Sequence, residues 1–110
     1  MAIYHIVMFK FKALLPQEEV KATCDAMLAL GEKCVHPTTN ARYVTTLGGG
    51  KDNSIEGRQN GFTHCFVSKF ENEEDRKYYV ESDPAHLAFV AGLFDKIDGV
   101  QVVDFTPGGF

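Results

Sequence analysis

The nine residues from Ile3 to Phe11 read Ile-Tyr-His-Ile-Val-Met-Phe-Lys-Phe. Ile3, His5, Val7, Phe9 and Phe11 alternate with Tyr4, Ile6, Met8 and Lys10, a period of two in residues that favour extended backbone. A strand with one wet face is apolar on the other face only; this one stays apolar on both as far as Met8. Whatever fold the chain adopts must therefore cover two faces of its first strand.

The remaining pattern shows what can do so. Pro16, followed by Glu18 and Glu19, predicts a helix start, because proline suits the first turn and acids suit the positive end of the helix dipole. Val20, Cys24, Met27, Leu28 and Gly31 then share one helical face. The pattern lapses into a turn around His36-Pro37. A second strand is expected from Ala41 to Leu47, leaving through Gly48-Gly49-Gly50, and a polar connection from Lys51 to Asn60 follows. Gly61 to Phe70 reads as a third strand, with Phe62, His64, Phe66, Ser68 and Phe70 on one face. Asn72 with Glu73, Glu74 and Asp75 starts a short helix containing Tyr78 and Tyr79. Asp83 caps a last helix with Pro84 in its first turn, and the helical reading runs to Gly99. Val100 to Phe105 is the last strand.

The order β-α-β-β-α-β predicts an α+β, ferredoxin-like protomer: a four-stranded antiparallel sheet with helices on one face. Tyr4, Ile6 and Met8 would then lie on the bare face. A second copy covering it would give a homodimer joined through its sheet faces, a dimeric α+β barrel.

Composition limits the functional classes. The 110 residues are read as one domain, residues 1–110, with 45% hydrophobic and 24% charged residues, an ordinary globular balance. The net charge is −4, with Lys and Arg scattered among acids, so a nucleic-acid partner is not expected. No run approaches membrane-spanning length and no signal peptide is read at the N-terminus, so no membrane association is expected. Cys24, Cys34 and Cys65 form neither a disulfide framework nor a zinc pattern, which fits reduced thiols and a cytoplasmic location.

Candidate chemistry centres on histidine. His86, Phe89, Val90, Leu93 and Ile97 share a face at helical spacing, which aims His86 at the sheet from the start of the last helix. His5 lies between Ile3 and Val7 on the first strand. Two imidazoles across one apolar cavity could perform acid/base work near neutrality, with the helix dipole biasing His86 toward its neutral form. Tyr79, in the preceding helix, could supply a phenolic donor to a substrate carbonyl. Each of the three also has a plain structural reading, since histidines at helix starts and in strands are commonly bonded to backbone. His64 is read as packing and His36 as an exposed turn residue. Gly48-Gly49-Gly50-Lys51 lacks the spacing of a phosphate loop. Glu71, Glu73, Glu74 and Asp75 read as a solvated helix start, and nothing orients Arg42, Tyr43 and Arg58 toward a common ligand.

Four short segments, taken in order, resemble the stress-responsive A/B barrel (Dabb) family along essentially the whole chain. They are His5-Ile6-Val7-Met8-Phe9-Lys10-Phe11-Lys12, Gly61-Phe62-Thr63-His64, Pro84-Ala85-His86 and Asp104-Phe105-Thr106-Pro107. The long segment from Gly49 to Gly61 and the Asp-Pro-Ala-His form look most like a fungal branch. The resemblance implies a dimeric barrel, and it includes a plant polyketide cyclase that works without metal or organic cofactor. In that cyclase the histidine of a Pro-Ala-His motif is the base, assisted by an upstream tyrosine and a first-strand histidine; the corresponding positions here are His86, Tyr79 and His5. The sequence departs from the cyclase at Asp83, where the cyclase has histidine, and at Tyr79, one residue further from His86 than the cyclase spacing, where Val80 matches.

The expected function is a cofactor-independent enzyme of cyclase or lyase type, acting on a small apolar, polyketide-like carbonyl compound through His86, His5 and Tyr79. The alternative is a non-enzymatic stress-response protein that binds hydrophobic ligands or acts through a stable oligomer. It requires the two histidines to be packed with no ligand-sized void between them. Haem binding, known on dimeric α+β barrels, finds no motif here.

Overall fold

The computed structural model describes residues 1–110. Its elements are β1 (Ile3–Phe11), α1 (Gln17–Leu28), α2 (Leu30–Lys33), β2 (Thr45–Lys51), β3 (His64–Phe70), α3 (Glu73–Glu81), α4 (Pro84–Ala91) and β4 (Ile97–Phe105). The four strands form one antiparallel sheet in the order β2-β3-β1-β4, so β1 is internal and β4 lies at an edge. This is the ferredoxin-like α+β fold expected from the element order.

The alternation along β1 decides the layering. Ile3, His5, Val7, Phe9 and Phe11 are buried and the residues between them are half-buried. The buried set faces the helices, where Phe9, Phe66, Phe70 and Tyr79 form the aromatic centre of the core. On the other face Tyr4 stacks on Phe105. Across that face Val103 and Phe105 remain 48% and 46% exposed, so the second apolar face of β1 belongs to a wider apolar patch.

Helix starts follow the local chemistry. Pro16 precedes α1 with Glu18 and Glu19 in its first turn. The Asn72 side chain accepts from the Asp75 amide at the start of α3, and Asp83 caps α4. On α1, Thr23 is buried and Cys24 only half-buried, because the Thr23 hydroxyl donates to the Glu19 carbonyl at 2.8 Å and is thereby satisfied inside the helix face.

Four elements are bounded differently from the sequence reading, the last of them β4, which begins at Ile97 rather than Val100. The second strand is Thr45–Lys51, so the triple glycine lies inside β2 and is not its exit. Gly48 sits at a register shift with φ 146°, and a Cβ on Gly49 would stand 2.2 Å from the Phe66 ring. The strand passes there only because side chains are absent. The last helix stops at Ala91 with Gly92 as its C-cap, short of the expected Gly99. Ile97 is buried as the first residue of β4, opposite Phe11, and not as a helical residue. The third strand begins at His64; Thr63 instead donates its backbone N–H to the Phe9 carbonyl at 2.8 Å.

Candidate active site

The register brings the first pair of polar groups together. On the helix-covered face of the sheet, His5 stands across from Ser68 on β3 and Asp104 on β4. His5 Nδ1 donates to Asp104 Oδ1 at 2.7 Å, and Arg76 of α3 donates to Asp104 Oδ2 at 3.2 Å. His5 is 6% exposed, so a carboxylate bond of this kind fixes its tautomer and leaves Nε2 for a ligand.

Helices α3 and α4 supply the other two groups. Tyr79 is buried against Phe70 and His5, its ring meeting the His5 ring edge-on at 5.9 Å. The His86 ring stacks on Tyr79 with centroids 3.9 Å apart. Tyr79 thus contacts both imidazoles. All three line one cavity of about 370 Å³, between the sheet and α3 and α4, with Val7, Phe9, Val100 and Val102 along the sheet side. Of its 13 lining residues 11 are hydrophobic; the two that are not are His5 and His86.

His86 Nδ1 is buried and has no hydrogen-bond partner. A polar atom in that condition is costly unless a ligand or water meets it. Burial pushes the imidazole below its ordinary value; the Tyr79 backbone opposes the shift, His5 adds to it and Asp83 opposes it. The ring is therefore neutral near pH 7 and can accept a proton. Burial also pushes the Tyr79 phenol up, followed by the influence of Cys34 and Asp83, so the phenol keeps its proton as a donor.

His86 is placed by Asp83. That carboxylate is 2% exposed, accepts from the Ala85 and His86 amides at 2.9 and 3.4 Å, and takes the Tyr43 hydroxyl on its other oxygen. The fully buried Cys34 packs beside it, its thiol pushed up to about 12, first by burial and then by the Asp83 charge. Helix-start chemistry marked Asp83 in the sequence, but nothing local pointed to the pairing of Tyr43 with Asp83 or of Asp104 and Arg76 with His5. Each becomes visible only once the register and the helix packing are known.

Arg42, Tyr43 and Arg58 do not converge. Tyr43 is committed to Asp83, Arg42 lines a shallow polar depression with Glu32 and Glu71, and Arg58 borders a hollow with Met8 and Cys65 on the opposite sheet face. His64 packs edge-on against Phe11, and His36 accepts from the Thr38 amide at 3.1 Å in its turn. No three His, Cys, Asp or Glu side chains assemble as a metal-binding set. No helix is long and apolar enough to cross a membrane.

This sheet, with its helices on one face and a half-open apolar cavity between the layers, defines a ferredoxin-like domain with a ligand-sized site. The chain belongs to the stress-responsive A/B barrel domain (Dabb) family, whose sequence pattern matches residues 3–107. The stress-response A/B barrel domain-containing protein HS1 of Arabidopsis thaliana is 41% identical over 58 residues, covering 53% of this chain and 52% of HS1. The match thus spans about half the length of that curated relative. The hydroxynitrile lyase of Passiflora edulis shares the fold with a TM-score of 0.83 at 22% identity, over 99% of this chain and 96% of its own. A dimeric protein of ferredoxin-like fold from Bacteroides fragilis superposes with a TM-score of 0.66 at 24% identity, over 94% of each chain.

Proposed function

We propose that this protein is a cofactor-independent enzyme of lyase or cyclase type acting on a small apolar carbonyl compound of polyketide-like character. The observation that carries the reading is the buried, unpartnered Nδ1 of His86 on an otherwise apolar cavity. A volume of about 370 Å³ is at the lower end of the range for small-molecule sites. It also supplies the void that a purely structural role for the two histidines would lack. The likeness to a hydroxynitrile lyase adds that a lyase is built on this fold.

In the proposed reaction the His86 imidazole takes a proton from the carbon α to the substrate carbonyl. The electron pair left behind forms the carbon–carbon double bond of an enolate, and charge moves onto the oxygen. The Tyr79 hydroxyl donates to that oxygen, while His5, held by Asp104 and backed by Arg76, fixes the wall of the cavity beside Tyr79. The imidazolium of His86 then returns the proton or passes it to the product. A direct test uses a methyl ketone in deuterium oxide: the wild-type protein should speed exchange of the α-protons, followed by proton NMR, well above buffer. Exchange at the buffer rate would overturn the reading.

The exposed apolar residues of the second sheet face support a homodimer joined through that face, and the Bacteroides fragilis protein of this fold is dimeric. Val103 is 48% exposed in the single chain, and a charge there should leave the protomer folded while opposing burial of the face. Val103→Asp is expected to turn a sedimenting dimer into a monomer. A wild-type monomer, or a variant that still dimerises, would contradict that arrangement.

A further inference from the structure

A second apolar hollow adjoins the active-site cavity. It is a groove of about 340 Å³ between α1 and α4, bordered by the small residues Ala22, Ala26, Ala88 and Gly92. Phe89 and Leu93 line both this groove and the cavity that holds His5, Tyr79 and His86. Leu93 is a buried core residue, whereas Phe89 is half-buried and leans on Phe9 with ring centroids 6.4 Å apart. Its phenyl ring is thus the removable part of the wall between the two spaces.

We propose that Phe89 is a specificity-determining residue that sets the longest apolar chain the active-site cavity admits. The inference rests on the carbonyl reading of that cavity and deepens it. With the carbonyl held near His86, the substrate tail runs along apolar side chains until it meets the Phe89 ring. Shortening that side chain joins the cavity to the α1–α4 groove and gives a longer tail somewhere to go. The small side chains of the groove leave it open at present.

The test is a binding series of methyl ketones from butanone to tridecanone, measured by calorimetry on the whole protein. Each methylene removed from water strengthens binding about fourfold. Wild-type affinity should climb at that rate and then level off where the tail reaches Phe89. In Phe89→Ala, or in the milder Phe89→Leu should the alanine variant misfold, the climb should extend by about two methylenes, so the long ketones bind about sixteenfold tighter than to wild type. Ala88 borders the groove alone, and adding Ala88→Leu to either variant should refill the groove and restore the earlier plateau. A plateau that stays at the wild-type chain length in both Phe89 variants overturns the role of Phe89 while leaving the carbonyl reading intact. Failure of every ketone to bind both wild type and variants overturns that reading and this inference together.

Discussion

Asp83→Ala is expected to lower the unfolding free energy by about 3 kcal/mol, summing a lost helix cap of about 1 kcal/mol and a lost hydrogen bond to a charged group of about 2 kcal/mol. For a domain of this size that corresponds to a fall in Tm of about 12 °C or more. The effect is large because one buried carboxylate serves three donors from two parts of the chain. Its Oδ1 caps α4 through Ala85 and His86, and its Oδ2 takes the Tyr43 hydroxyl. Removing it frees the start of the helix that carries His86 and leaves the Tyr43 hydroxyl without its acceptor. Asp83→Asn keeps an oxygen for the cap and should recover roughly 1 kcal/mol of the loss. Urea unfolding of the three proteins decides it; equal stability of wild type and Asp83→Ala would mean that the cap and the tyrosine bond contribute nothing net.

His86→Ala should reduce α-proton exchange of a methyl ketone by about 10²- to 10⁴-fold, the range that a positioned general base contributes, while far-ultraviolet circular dichroism stays unchanged. The pH dependence follows from the same imidazole. His86 works as a base only when neutral, and burial sets its pKa below the ordinary 6.5. The rate should therefore be flat through neutrality and fall at acid pH, with a midpoint below 6.5. Stability follows the same direction. A histidine whose pKa is depressed by folding contributes fully above the unfolded value, and that contribution is lost as pH falls through the folded one. His86→Ala should flatten this part of the stability profile. A variant that exchanges protons as fast as wild type would remove His86 from the base role.

The parts of the structure written in local chemistry could be read from the sequence. The two-residue period of Ile3 to Phe11 marks β1 and its two apolar faces, and Asn72 and Asp83 mark helix starts because their short side chains reach the amides ahead of them. Residues whose meaning depends on a distant partner could not be read this way. Gly48-Gly49-Gly50 looks like a strand exit by propensity, but Phe66 of β3 occupies the space a side chain on Gly49 would need. The apolar spacing through Leu93 and Ile97 continues a helix that Gly92 in fact ends, since both residues are buried for reasons other than helical periodicity. His5 was recognisable as a candidate, yet its Asp104 and Arg76 partners depend on the β1–β4 register and on the packing of α3 over it.

The central claim is that His86 presents a neutral, unpartnered nitrogen to an apolar ligand cavity. The most direct measurement is a ¹⁵N NMR titration of the His86 imidazole, alone and with a saturating methyl ketone. The expected result is a midpoint below 6.5 and ring-nitrogen resonances that shift when the ketone binds. A midpoint at or above the ordinary histidine value, or resonances indifferent to the ketone, would contradict the account.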